Sequence, residues 1–151
     1  MTNIAARLPR RESTTSGSET GSPTEPSVES AEQALHSFVE QHRANRTGLP
    51  GEFERFERRV MELGTAVVRA NLAEEMSAQD VTAEAIEIEG KTLRRVLRSK
   101  QQYQTSAGVV GVERWLFKDR TDPEARSVAP LDLKLGVVDG FWTAAAAKQG
   151  A

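Results

Sequence analysis

The spacing of apolar residues changes near residue 81, and this change constrains the fold more than any other feature of the sequence. Between residues 52 and 77 the strongly apolar side chains recur at steps of three and four. They are Phe53, Phe56, Val60, Leu63 and Val67. This spacing predicts one amphipathic helix about 39 Å long, at about 1.5 Å per residue. Gly64 lowers helix propensity, so we expect another element to approach the helix closely there.

Beyond the helix the apolar period becomes two, which predicts a small antiparallel meander of two hairpins over residues 86–118. The first hairpin turns at Gly90-Lys91. The second turns at 106–108, between a strand around Tyr103 and a longer strand over residues 109–118. Since single hairpins are marginally stable in water, we expect the long helix to cover one face of the meander. The predicted fold class is therefore α+β.

The N-terminal part of the chain has a different composition. Residues 1–30 are rich in Ser, Thr, Gly and Pro and cannot bury enough apolar surface to offset chain entropy, so they are predicted to be a disordered tail. Ser30, with Gln33 three residues later, resembles a capping box and predicts the start of a short helix. Gly48 predicts its end. Residues 31–120 thus form the predicted helix-plus-meander domain.

Residues 121–151 predict a loop followed by two short helices. The first covers about 131–138, and the second begins at Thr143, whose hydroxyl is suited to an N-cap. Phe141 and Trp142 precede this cap. They either fold back on the meander or stay exposed, and an exposed apolar patch favours self-association or a partner.

Composition excludes several classes of function. The chain has 151 residues, a net charge of −2 and no cysteine, so disulfides and thiolate metal sites are absent. No apolar run is long enough to span a membrane and the N-terminus lacks a secretory signal, which favours the cytoplasm. His36 and His42 are six residues apart, which is not the spacing of a ligand pair on a helix. No nucleophile–base set is recognisable, so we expect no cofactor, no metal and no small-molecule substrate.

Charge is divided along the chain. Residues 52–89 contain four basic and ten acidic residues, whereas residues 91–120 contain eight basic and two acidic residues. Arginine and lysine bind phosphate oxygens, so the meander is a candidate nucleic-acid surface. Its candidate ligands are Arg94, Arg95, Arg98, Lys100, Arg114, Lys118 and Arg120. Tyr103, Trp115 and Phe117 lie between these charges and could stack on exposed bases. In the alternative interpretation, the basic strands pair with the acidic helix and the aromatic residues form core.

Two stretches resemble a known family. They are "SAGVVGVERWLF" and "APLDLKLGVVDGFWTAAAAKQ". Together with the long helix before them, they resemble the front of bacterial insertion-sequence transposases of the Kra-type group, over residues 52–149. The resemblance implies a DNA-handling region followed by an RNase-H-like domain, whose three carboxylates bind two metal ions. The chain departs from the pattern at Thr143-Ala144, where the family usually has Thr-Pro.

The resemblance also sets the functional expectation. The chain stops at Ala151, so it is expected to be a truncated transposase at the junction to a missing catalytic domain. No residue matches the catalytic carboxylates, hence no enzymatic activity is expected. DNA contact is expected to be weak and sensitive to salt. The alternatives are a protein-interaction module, which associates with itself or with an intact transposase, and a non-functional remnant of a mobile element.

Overall fold

A computed structural model describes residues 25–150. Over these residues the chain forms helices and one three-stranded antiparallel sheet of order β1-β2-β3, which confirms the predicted α+β class. The elements are α1 (Val28–Ala44), α2 (Glu52–Ala78), β1 (Ala85–Ile88), β2 (Lys91–Thr105), β3 (Gly108–Lys118), α3 (Pro130–Leu135) and α4 (Ala144–Gln149). The tail was predicted for residues 1–30, and residues 1–24 of it lie outside the described residues.

Helix α1 begins three residues earlier than the sequence predicted. The Ser27 hydroxyl caps the helix by accepting a hydrogen bond from the Ser30 backbone N–H at 3.1 Å. Ser30 therefore lies inside the helix, and the predicted capping box is wrong because Gln33 donates forward to Ser37 at 3.0 Å. Residues 28–30 consequently belong to α1 and not to a tail.

Helix α2 matches the predicted amphipathic helix to within one residue. The helix packs against two neighbours, α1 and β3. Leu63, Ala70 and Met76 are its buried residues. The close approach expected at Gly64 is wrong, because a methyl group built there meets no described atom within 4 Å.

The sheet has three strands where the sequence predicted four. The second and third predicted strands are one continuous strand, β2, of 15 residues. Its partners on β3 run in regular register from Thr105↔Gly108 back to Leu97↔Leu116, and the next pair is Arg95↔Phe117. Val96 is therefore an extra residue and forms a β-bulge. Because of this bulge, the residues of β2 before Val96 point to the face opposite to the one that regular alternation would give them.

The core lies between the sheet, α2 and α3. Its buried members are Met76, Tyr103, Val110, Val112 and Leu131. Helix α2 follows the outer edge of β3. Near the β2–β3 turn, Arg69 Nη1 donates to the Ala107 carbonyl at 3.5 Å, and beyond the helix end the Asp80 carboxylate accepts from the Trp115 backbone N–H at 3.2 Å. The long helix thus packs on the meander as predicted.

The segment after β3 crosses from one edge of the β2–β3 hairpin to the other. Val128 exchanges two backbone hydrogen bonds with Phe117, at 2.7 and 2.8 Å. At the other edge Gln104 N–H donates to the Phe141 carbonyl at 2.8 Å and the Gln104 carbonyl accepts from Thr143 N–H at 3.0 Å. Thr143 caps α4 as predicted, accepting from Ala146 N–H at 3.3 Å.

Candidate nucleic-acid interface

The predicted basic ligands lie on both faces of the β2–β3 hairpin. Paired residues of antiparallel strands point to the same side of a sheet, so the register assigns each side chain to a face. Arg114 shares the face of Tyr103 and Val110, which packs on α3, and Arg94 and Lys118 are opposite each other on that face. The other face, which we call the Trp115 face, carries Trp115 and several candidates. These are Arg95, Arg98 and Lys100.

On the Trp115 face two guanidinium groups stack on one indole. The Cζ atom of Arg95 lies 4.4 Å from the centroid of the Trp115 ring, and the Cζ atom of Arg98 lies 5.4 Å from it. Both distances are within the range of cation–π attraction. Arg95 Nη1 also donates to the Thr82 carbonyl at 2.7 Å. The two arginines and the tryptophan therefore form one cluster.

Acidic residues of α2 do not neutralise the arginines of the strands. Within the helix Arg58 pairs with Glu54 at 2.8 Å and Arg59 pairs with Glu62 at 2.9 Å. Among residues 25–150, no ion pair joins an arginine of β2 or β3 to a carboxylate of α2. The acidic helix and the basic strands are thus largely separate surfaces.

Two exposed arginines make only weak contacts within the chain. Arg98 Nη2 lies 3.5 Å from Glu113 Oε2, and both side chains are at least half exposed. An ion pair so open to water contributes little to stability and exchanges readily. Arg120 Nη2 donates to the Arg95 carbonyl at 3.5 Å, which brings Arg120 beside the stacked cluster.

Arg114 differs from the other candidates because its side chain is internal. The residue is 9% exposed, and its Nε atom lies 3.6 Å from Asp132 Oδ1 of α3. The same oxygen accepts a hydrogen bond of 2.5 Å from the Tyr103 hydroxyl. Burial, followed by this bond to Asp132, raises the pKa of Tyr103 above its ordinary value. Arg114 therefore links the sheet to α3, and we omit it from the interface.

The aromatic side chains of the strands are not free to stack on bases. Tyr103 and Phe117 are both 0% exposed, which places them in the core as the alternative interpretation required. Trp115 is partly exposed, but its ring carries the two guanidinium groups. The surface thus offers cations and not bare aromatic rings.

Lys100 lies beside a cleft of mixed charge. The cleft, of about 620 Å³, opens between the start of α1, α2 and the hairpin. It brings Lys100 and Arg98 near carboxylates that include Glu25, Glu74 and Glu113. Because Lys100 faces several carboxylates, it is a poorer phosphate ligand than Arg95. Arg98 lines the cleft and also stacks on Trp115.

Other kinds of site find no support over residues 25–150. No group of three or more His, Cys, Asp or Glu residues in this range is placed to hold a metal ion. Nor does this range contain a helix with the length and apolar character needed to cross a bilayer. The His42 ring stacks on Phe56 with centroids 4.1 Å apart, joining α1 to α2.

Comparisons with known proteins returned no relative. The sequence matches no protein-family model, no curated protein and no solved structure. The similarity to insertion-sequence transposases therefore stays a prediction from the two stretches at 106–117 and 129–149.

Proposed function

We propose that this chain contacts DNA without catalysing a reaction, in the manner expected of the DNA-handling front of an insertion-sequence transposase. The contacting groups are accessible basic side chains around the β1 end of the hairpin. Arg95 and Arg98 lie on the Trp115 face, Arg94 and Lys118 lie on the other face, and Arg120 follows β3. The observation that carries the proposal is that, among residues 25–150, none of these side chains forms an ion pair with a carboxylate of α2, whereas Glu54 and Glu62 of that helix pair with Arg58 and Arg59. The proposed place of action is the bacterial cytoplasm.

Phosphate is the ligand class that suits this surface. Guanidinium groups present several N–H donors in a plane and bind phosphate oxygens in pairs. With aromatic rings buried or covered, the contacts carry little information about base sequence. Binding through a few such contacts is weak and falls steeply as salt rises.

The test compares two triple charge reversals that change net charge equally. One replaces Arg94, Arg95 and Arg98 with glutamate. The matched control replaces Arg43, Arg58 and Arg59, which lie on α1 and α2. Fluorescence anisotropy with a labelled duplex at low and moderate salt measures binding. We expect wild type and control to bind at low salt and the strand variant to lose binding. Equal loss in both variants, or no binding by wild type at low salt, contradicts the proposal.

A second candidate function is protein association, and an exposed apolar stripe on α2 favours it. Phe53, Met61 and Val68 are 71%, 65% and 49% exposed and lie on one side of the helix by their spacing. Large exposed apolar side chains in a row are typical of contact surfaces. Sedimentation equilibrium of wild type and Met61→Lys tests this candidate, with Leu49→Lys as the control outside the helix. A monomer at all concentrations rules out self-association as the role of the stripe.

A further inference from the structure

We propose that Trp115 is a positioning residue, which holds Arg95 and Arg98 together as a two-arginine clamp for phosphodiester groups. The inference rests on the proposed function. It concerns Arg95 and Arg98, whose side chains are already ordered in the free protein. Trp115 itself makes no contact with phosphate in this arrangement. It acts through the two guanidinium groups that stack on its ring.

The bulge at Val96 makes this clamp possible. Residues three apart in a regular strand point to opposite faces, so Arg95 and Arg98 would be separated by the thickness of the sheet. The register shows two steps along β2, from Arg95 to Leu97, against one step along β3. The extra residue brings Arg95 to the face of Arg98 and Trp115. Bulges commonly re-aim side chains in this way beside functional sites.

The indole then fixes where the two guanidinium groups lie. Arg98 is directly opposite Trp115 in the register, and Arg95 reaches the same ring from beyond the bulge. The backbone of Trp115 is itself held, because the Asp80 carboxylate accepts its N–H at 3.2 Å. Stacking restrains two long side chains. Arg95 donates through Nη1 to Thr82, and its other N–H groups can point toward a phosphate. Less rotamer entropy is therefore lost when phosphate binds.

Glu113 occupies the clamp from one side in the free protein. Its carboxylate lies 3.5 Å from Arg98 Nη2, at a distance longer than a good charge-assisted hydrogen bond. Because this pair is open to water, a phosphate oxygen can replace the carboxylate at little cost. The Glu113 carboxylate therefore occupies a position beside Arg98 where a phosphate oxygen can bind instead.

The test measures affinity for a labelled duplex in Trp115→Leu and Trp115→Phe. Leucine keeps apolar bulk but removes the aromatic face, so we expect binding to weaken by about two- to fivefold. Phenylalanine keeps a smaller aromatic face and should restore most of the affinity. Far-ultraviolet circular dichroism checks that both variants keep the fold.

A double-mutant cycle separates positioning from general destabilisation. Trp115→Leu is repeated in a chain that also carries Arg95→Gln and Arg98→Gln, where Trp115 has no cations to hold. We expect no further loss of affinity there. An equal loss on both backgrounds, or no loss in the original background, overturns the role of Trp115. If wild type itself fails to bind at low salt, the proposed function fails, and this inference with it.

A second readout covers the case in which Trp115→Leu does not fold. The chain has two tryptophans, so Trp142→Phe leaves Trp115 as the one intrinsic fluorophore. A phosphate bound to the stacked guanidinium groups changes the electrostatic surroundings of the indole, so we expect duplex addition to change the Trp115 emission. Binding without any change in emission overturns the clamp.

Discussion

The Tyr103 hydroxyl on β2 donates a hydrogen bond of 2.5 Å to Asp132 Oδ1 on α3. The same oxygen is 3.6 Å from Arg114 Nε, an atom that is buried and has no hydrogen-bond partner. Asp132 thus accepts a hydrogen bond from one strand and forms an ion pair with an arginine of the neighbouring strand. This polar link, set in an otherwise apolar contact, specifies how α3 sits on the sheet, because any displacement would leave a buried polar group unpaired.

Tyr103→Phe should destabilise the fold while preserving its shape. The substitution removes one hydroxyl and leaves Asp132 with only its longer contact to Arg114. We expect the free energy of unfolding to fall by about 1.5–3 kcal/mol, which is typical for loss of a hydrogen bond to a charged group. Urea denaturation measures the change. An unfolding free energy equal to that of wild type would show that the bond adds nothing to stability.

Ionisation of Tyr103 should lower the free energy of unfolding at alkaline pH. Burial and the Asp132 carboxylate raise the pKa of Tyr103 above its ordinary value, which is about 10. The folded state then holds the phenolic proton more tightly than the unfolded state. The resulting stability is fully present below pH about 10 and is lost as pH rises toward the folded-state pKa.

Two measurements check this expectation. Tyr103 is the one tyrosine of the chain, so near-ultraviolet absorbance reports its titration directly. Tyr103→Phe should lack the alkaline loss of stability seen in wild type. Titration of native Tyr103 at the ordinary tyrosine value would contradict the buried hydrogen bond.

Asp132→Asn should lower the free energy of unfolding more than the same substitution at Asp139 does. Asparagine still accepts from the Tyr103 hydroxyl, but it leaves Arg114, whose side chain is 10% exposed, without a counter-charge. We expect a loss of about 1–3 kcal/mol in unfolding free energy. Asp139→Asn is the matched control, because Asp139 is exposed and its backbone φ of 52° suits asparagine. A similar effect of both substitutions would contradict the link to Arg114.

The sequence predicts the elements that depend on periodicity and turn chemistry. The steps of three and four in α2 give its bounds to within one residue, and the Thr143 cap is where the sequence places it. The turn predicted at 106–108 is one residue longer than the observed turn, because Gly108 already pairs with Thr105. Only this observed pairing places Arg98 opposite Trp115.

Other features could not be predicted from the sequence, because they depend on tertiary contacts that the spacing of apolar residues does not reveal. The polar run from Ser99 to Gln102 resembles a loop, yet it continues β2 because β3 supplies its hydrogen-bond partners. The bulge at Val96 has no Gly or Pro to indicate it. Arg114 resembles the surface arginines around it, and only the position of Asp132 on α3 makes its burial possible.

Arg94→Gln should change the salt dependence of DNA binding by the amount expected for one contact. Arg94 is exposed and lies opposite Lys118 at the proposed interface. Loss of one phosphate contact lowers the slope of log affinity against log salt by about 0.9. Arg43→Gln removes the same charge from α1, where Arg43 lies 3.4 Å from Glu40, and should leave the slope unchanged. Equal slopes for wild type and both variants would exclude Arg94 from the interface.

Gly64→Ala should stabilise the chain, although a helix glycine often marks close packing. A methyl group at Gly64 meets no described atom within 4 Å, and this position lies inside α2. Alanine restricts the unfolded chain and favours the helix, so we expect a gain of about 0.5–1 kcal/mol in unfolding free energy. Gly136→Ala is the opposite control, since Gly136 ends α3 with φ at 65° and alanine is strained there. If Gly64→Ala instead lowers stability, and does so more at higher protein concentration, a second chain approaches α2 at this glycine, which would support association through the helix.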